Sequence, residues 1–239
     1  MLAIVVALFL AQQSPIVFTA KSANVADAGT PVKINLLRWS TEEERNPIVI
    51  ALDPAAQAAA QAAGARGGRG GRGGRAAGGL DPNDPALADV EATPARGGGR
   101  GGRGGRGGRG GDAATPATDP MTILSAAIEK APTVGYLWTN ETVGYSIKYA
   151  YRTPLADGSE RIILATDRQL GSGSAGWKST ASGTPTNYPF TLIEIRIDPK
   201  GLGEGKASLT SKVILDKEAK TVALENYAAT PAIFQNIKR

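Results

Sequence analysis

The sequence predicts an α+β fold that is mainly β. An antiparallel sheet of about eight strands, curled into a sandwich or open barrel, is expected with two or three short helices and a long disordered Gly/Arg-rich insert. Three observations carry this reading. Residues 188–215 form a hairpin pattern, apolar alternation recurs on both sides of residues 64–111, and 20 of the 31 glycines fall within 64–111.

The hairpin is the strongest signal. Ile193, Ile195 and Ile197 share one face of an extended chain, with Glu194 and Arg196 on the other, the period of two of a half-buried strand. Asp198-Pro199-Lys200-Gly201 supplies turn chemistry, since proline presets φ and glycine accepts φ > 0. The return strand is read through Ala207, Leu209, Val213 and Leu215, which share one parity.

From the start, residues 2–11 are ten apolar residues. A helix needs about 20 to span a bilayer, so the run fits the apolar region of a secretory signal. It lacks a basic flank, and residues 1–13 are expected to be a signal peptide truncated at that end. No transmembrane helix is expected in the mature chain. The competing reading is a buried N-terminal strand or helix. Residues 16–23 and 32–39 read as strands joined by a turn at Ala28-Gly29-Thr30-Pro31. Ser40 and Glu43 then match a capping box. The helix they open is expected to reach about Leu52, with a kink at Pro47.

Residues 64–111 hold nine arginines and four acids, so the chain's net charge of +5 resides there and the remainder is neutral. So little apolar surface cannot offset the entropy of ordering so much glycine, and no proline fills the slots a collagen repeat needs. Lengthening a loop from about 4 to about 48 residues costs only about 2 kcal/mol. A second helix is expected to start at Asp119 and Pro120. Leu124, Ala127, Ile128 and Ala131 would form its stripe, and Pro132 would end it. The domain reading is a signal (1–13), a first β-rich part (14–63), an insert (64–118) and the rest of the same β-rich domain (119–239).

Residues 143–152 read as a strand with Tyr145, Ile147, Tyr149 and Tyr151 on one face. That stripe is either a carbohydrate-facing surface or a packed sheet face. Asp157-Gly158 turns the chain into a strand at 161–167, and residues 171–187 form a Gly/Ser/Thr-rich loop holding Trp177. Strands at 221–227 and 233–238 are expected to close the sheet.

Several segments resemble a family of uncharacterised bacterial exported proteins. They are RWSTEEER at 38–45, ILATDR at 163–168, YPFTLIEIRID at 188–198, GEGKASL at 203–209 and LENY at 224–227. The resemblance covers most of the chain outside the signal and the Gly/Arg segment. It implies export and carries over no functional residue, because no activity is assigned to that family.

The chain contains no cysteine and no histidine. This excludes disulfides, thiol catalysis and Ser-His-Asp or His-ligated metal chemistry. No cofactor and no metal site are expected. The Gly/Arg tracts resemble RGG boxes: Arg66, Arg69, Arg72, Arg75, Arg100, Arg103, Arg106 and Arg109 offer forked donors to phosphate on a chain whose glycines let it follow any anionic polymer. Nucleic acid, envelope polysaccharide and anionic lipid are the candidate partners. No aromatic residue lies within 64–111, so base stacking there would fall to arginine.

Arg38 and Trp39 at a strand-to-helix corner, and Asp167, Arg168 and Trp177 at a strand end and its loop, are candidates for a surface site. Corner salt bridges and a capping tryptophan are the plainer reading. Asp167, Glu194 and Glu204 are the carboxylates a hydrolase would draw on, with no spacing that singles out a pair. Gly201–Gly205 sits in a β-hairpin and is not a phosphate loop, and Asn140-Glu141-Thr142 matches a glycosylation sequon by accident. The function expected is therefore a non-catalytic exported or envelope protein with weak polyanion affinity. The alternatives are a cytoplasmic RGG-type RNA-binding protein and a carboxylate-based hydrolase.

Overall fold

The computed structural model describes residues 14–59, 119–181 and 185–239. Its centre is a closed antiparallel barrel of eight strands. In chain order these are β1 (Ile16–Ser22), β2 (Pro31–Leu36), β3 (Gly135–Trp138), β4 (Tyr145–Pro154), β5 (Glu160–Thr166), β6 (Leu192–Ile197), β7 (Leu202–Ala207) and, after a separate hairpin, β10 (Ala232–Lys238). Around the barrel the order is β1-β10-β7-β6-β5-β4-β3-β2, so the first and last strands pair and no edge is left open. The hairpin consists of β8 (Val213–Asp216) and β9 (Thr221–Leu224).

Inward alternation fills the barrel. Phe18, Ile34, Leu137, Ile162, Ile195 and Phe234 are all fully buried there, as an eight-stranded barrel requires. The β6–β7 hairpin forms as its sequence predicts. Asp198 N–H donates to Leu202 O at 2.8 Å, Gly201 N–H donates to Asp198 O at 2.9 Å, and Gly201 takes φ +80°. Gly203 is bare because a Cβ there would collide with the Arg196 carbonyl across the pair.

A second core lies outside the barrel, over β4, β5 and β6. Helix α1 (Glu42–Ile50), helix α2 (Pro120–Lys130) and the β8–β9 hairpin bury Ile48, Leu124, Ile128, Val213 and Leu224 against Tyr149, Ile163 and Leu192. Strand β5 is thus apolar on both faces, with Ile162 and Leu164 inside and Ile163 and Ala165 outside.

Five local readings are corrected. The return strand of the hairpin ends at Ala207, because β8 leaves the barrel to cover the second core and pairs with β9. For the same reason β9 does not close the sheet; β10 does. The tyrosine stripe is split by a register shift between Ile147 and Tyr149. Tyr145 and Ile147 face the interior, whereas Tyr149 and Tyr151 face the outer core; a bulge adds one residue and flips every side chain after it. The α1 cap is Thr41 with Glu44, not Ser40 with Glu43, because Ser40 is engaged by β4, donating from its amide to Ala150 O at 2.9 Å and accepting from Ala150 N–H at Oγ at 3.0 Å. Asp119 stands at the α2 cap position but its side chain makes no capping bond. Strand β3 had no counterpart in the sequence reading. Pro47 lies inside α1, which continues to Ile50.

The outer surface of β10, β1, β2 and β3 contributes nothing to the second core. Val17, Tyr136 and Trp138 are exposed on it, Trp138 by 45 %. Among the described residues no helix is long and apolar enough to cross a membrane.

Candidate functional site

The structure does not bring the surface-site candidates together. Arg38 and Trp39 follow β2, whereas Asp167 and Arg168 follow β5. Those strands run in opposite directions, since two antiparallel pairings separate β2 from β4 and a third separates β4 from β5. Arg38 makes a forked pair to both Glu44 oxygens at 2.7 Å. That pair holds the Glu44 carboxyl below its usual range and locks the capping box. Trp39 packs on the barrel core beneath the Arg152 guanidinium, 5.3 Å from its ring. Both side chains of this corner are thus engaged within the fold.

The β5 end carries a denser network. Tyr145 Oη donates to Glu141 Oε2 and accepts from Gly171 N–H at 2.9 Å. Ser174 Oγ donates to the other Glu141 oxygen at 2.6 Å. Arg168 lies 4.2 Å over the Tyr145 ring and donates to Gly144 O at 2.9 Å and Val143 O at 3.1 Å. Asp167 accepts from Ser146 N–H at 3.1 Å and pairs with Arg168 at 3.4 Å. Beside this network lies a cleft of about 550 Å³ lined by Asp27, Asn140, Glu141, Val143, Arg168 and Ser174.

Trp177 is not a lining residue. It is 2 % exposed and packs on Phe234, with ring centroids 5.7 Å apart. Asn140 and Glu141 belong to this cleft, and the sequence reading had treated them only as an accidental sequon.

Burial, and then the bond to Glu141, pushes the Tyr145 phenol up from 10.0 to about 12. Tyr149 and Tyr227 are pushed the same way, burial first in each. At neutral pH Tyr145 is therefore a neutral donor to Glu141. Because the folded state resists ionisation, this contribution to stability is complete below about pH 10 and is lost as pH rises through about 12. Melting temperature is expected to fall steeply over that window, and less steeply in Tyr145→Phe. A flat profile to pH 12 would refute the assignment.

The hydrolase candidates are held differently. Glu194 is fully buried on the outer face of β6, under the β8–β9 hairpin, which corrects the expectation of a half-buried strand. Its oxygens accept from Arg161 Nε at 2.9 Å, Arg161 Nη2 and Arg196 Nη2 at 3.3 Å, and Leu224 N–H at 3.3 Å. Arg161 also reaches Asp216 at 2.6 Å. Glu204 lies across from Arg196 on β7 and pairs with Lys206 at 3.5 Å. Asp167 stands beyond the end of β5 and shares no partner with either.

Tyr227 packs against both Arg196, 3.9 Å from its ring, and Lys206, 4.4 Å from it. The parity of β6 placed Glu194 and Arg196 on one face. Arg161, Asp216 and Tyr227 escaped sequence reasoning because they come from three other segments.

The arginines of the Gly/Arg tracts, Arg66 to Arg109, lie outside the described residues. No family model matches the chain, and no curated protein or solved structure matches it either.

Proposed function

We propose that this chain is a non-catalytic exported protein of the cell envelope whose Gly/Arg segment binds anionic polymers. The observation that carries the reading is the partition of charge: the whole net charge of +5 resides in 64–111, outside the folded strands. The ion-paired state of the candidate carboxylates supports the same reading. Glu194 faces two arginines, and Asp167 faces Arg168. The apolar start of the chain and the resemblance to exported proteins support export.

Deleting residues 64–111 is the test. The deletion is expected to leave the melting temperature within a few degrees, because strands on both sides of the segment pair within one barrel. It is expected to remove salt-sensitive retention on heparin. With nine arginines on single-stranded phosphates, the salt slope of binding would change by about 6. Unchanged heparin retention would refute the assignment of affinity to the tracts. The mass of the mature N-terminus tests export: removal of the apolar run supports it, and an intact run in a cytoplasmic fraction supports the RGG-type RNA-binding alternative.

A further inference from the structure

The neutral sum over the folded part hides a one-sided distribution. The four adjacent strands β10, β1, β2 and β3 contain no aspartate or glutamate. Lys238, Lys21 and Lys33 are exposed on them, whereas the barrel-strand carboxylates Glu160, Glu194 and Glu204 sit on β5, β6 and β7 beside Arg161, Arg196 and Lys206. Register places Lys238, Thr19, Lys33 and Trp138 in one row across the four strands. The neighbouring row is Val17, Asn35 and Tyr136. With about 4.8 Å between strands, the first row spans about 14 Å.

The two aromatic rings are presented, not merely exposed. Their centroids are 6.5 Å apart. A Cβ on Gly144 would come within 2.8 Å of the Trp138 ring, so the indole sits against bare glycine while 45 % of the residue stays in solvent. The Gly144 backbone is held by Arg168, which donates to the carbonyls of Gly144 and Val143. A large aromatic so exposed leaves close to half of its surface unburied in the fold. Its glycine seat and the arginine brace fix its pose all the same.

We propose that this face binds single-stranded nucleic acid, with bases stacked on Tyr136 and Trp138 and phosphates led along Lys33, Lys21 and Lys238. Stacking rings beside a cationic track is the combination that single-strand binders use, and every base offers a π face. These four strands place no carboxylate in the rows, so a phosphate meets cations along them, with Asp27 and Glu141 confined to the cleft at one end. A duplex keeps its bases stacked internally and offers none to an open sheet face. The Gly/Arg tracts supply cations without aromatic rings, so this face contributes the element they lack, and it stands whether or not the tracts bind.

The test uses the full chain and three probes: a labelled oligothymidylate, an abasic oligonucleotide of equal length, and heparin. The expected result is about 30-fold tighter binding to the thymidylate than to the abasic strand, with quenching of Trp138 fluorescence. In Tyr136→Ala/Trp138→Ala the ratio is expected to fall to about 1, while the abasic affinity carried by phosphate contacts stays. Trp138→Phe is expected to keep the ratio and lose the quenching, and Gly144→Ala to lower the ratio by displacing the ring. Equal binding of both strands by the unmodified protein would overturn the proposal. So would a ratio indifferent to the double substitution, or heparin binding that is lost with the two rings while thymidylate binding is not. Failure here leaves the heparin result of the 64–111 deletion untouched, so the two readings fall separately.

Discussion

Replacing Arg161 by methionine is expected to cost about 3–5 kcal/mol in a urea titration. Arg161 is 12 % exposed at its side chain and Glu194 only 1 %. Three donated hydrogen bonds tie Arg161 to Glu194 and Asp216. Removing the guanidinium leaves a buried carboxylate facing one half-exposed arginine, Arg196, and one backbone amide. That is the expensive case, because the desolvation cost of Glu194 remains while its main compensation is gone.

Arg161→Met/Glu194→Leu removes both charges and is expected to return to within about 2 kcal/mol of the parent. The signature is therefore a double variant more stable than the Arg161 single variant. A single-variant loss below about 1 kcal/mol, or a double variant as unstable as the two losses added, would show that the pair is not buried as described. Added salt is expected to change little, since screening acts weakly on charges out of solvent.

Phe234→Ala is expected to be as damaging, at about 3–5 kcal/mol. Phe234 is fully buried in the barrel and packs on Trp177. Opposite it stands Gly205, where a Cβ would already lie 3.1 Å from the Phe234 ring. The ring fills space that glycine leaves, and a closed set of strands has little freedom to collapse onto a hole. The near-ultraviolet circular dichroism of Trp177 is expected to weaken in parallel, as its ring loses a fixed neighbour. Phe234→Leu keeps most of the volume and is expected to cost clearly less. If alanine is tolerated within about 1 kcal/mol, the Phe234–Gly205 complementarity is not what seats β10.

The barrel's parts were legible where the determining interactions are local. Ile193, Ile195 and Ile197 alternate, and they do face the interior. Gly29, Gly158 and Gly201 sit in turns and all take φ near +80° to +87°. Leu124 and Ile128 mark the buried stripe of α2. Where two local preferences competed, position was lost by small amounts. Ser40 was a plausible cap until β4 claimed it, and the run of β-formers from Tyr145 to Tyr151 gave no sign of the bulge that splits it. Gly135–Trp138 is four residues long, too short for alternation to stand out from its neighbours.

The candidate site was legible only in fragments. Asp167 and Arg168 were named for their place after a strand, and they do belong to the network around Tyr145. Glu141, Ser174 and the exposed pair Tyr136 and Trp138 were not found. Their importance comes from neighbours 26 to 33 positions away or from a face left uncovered.

By itself the sequence determined the alternation, the turns, the helix of residues 120–130 and the concentration of net charge in residues 64–111. Only the tertiary structure decided that the sheet closes, that β8 leaves it to roof Glu194, and that the barrel-strand carboxylates all fall on β5, β6 and β7 while β10, β1, β2 and β3 carry lysines alone. Periodicity and turn chemistry act between residues a few positions apart, so they are written in the chain. Burial of an outward face and the direction of a charge distribution depend on which distant segment arrives to cover it, and a sum over composition discards direction.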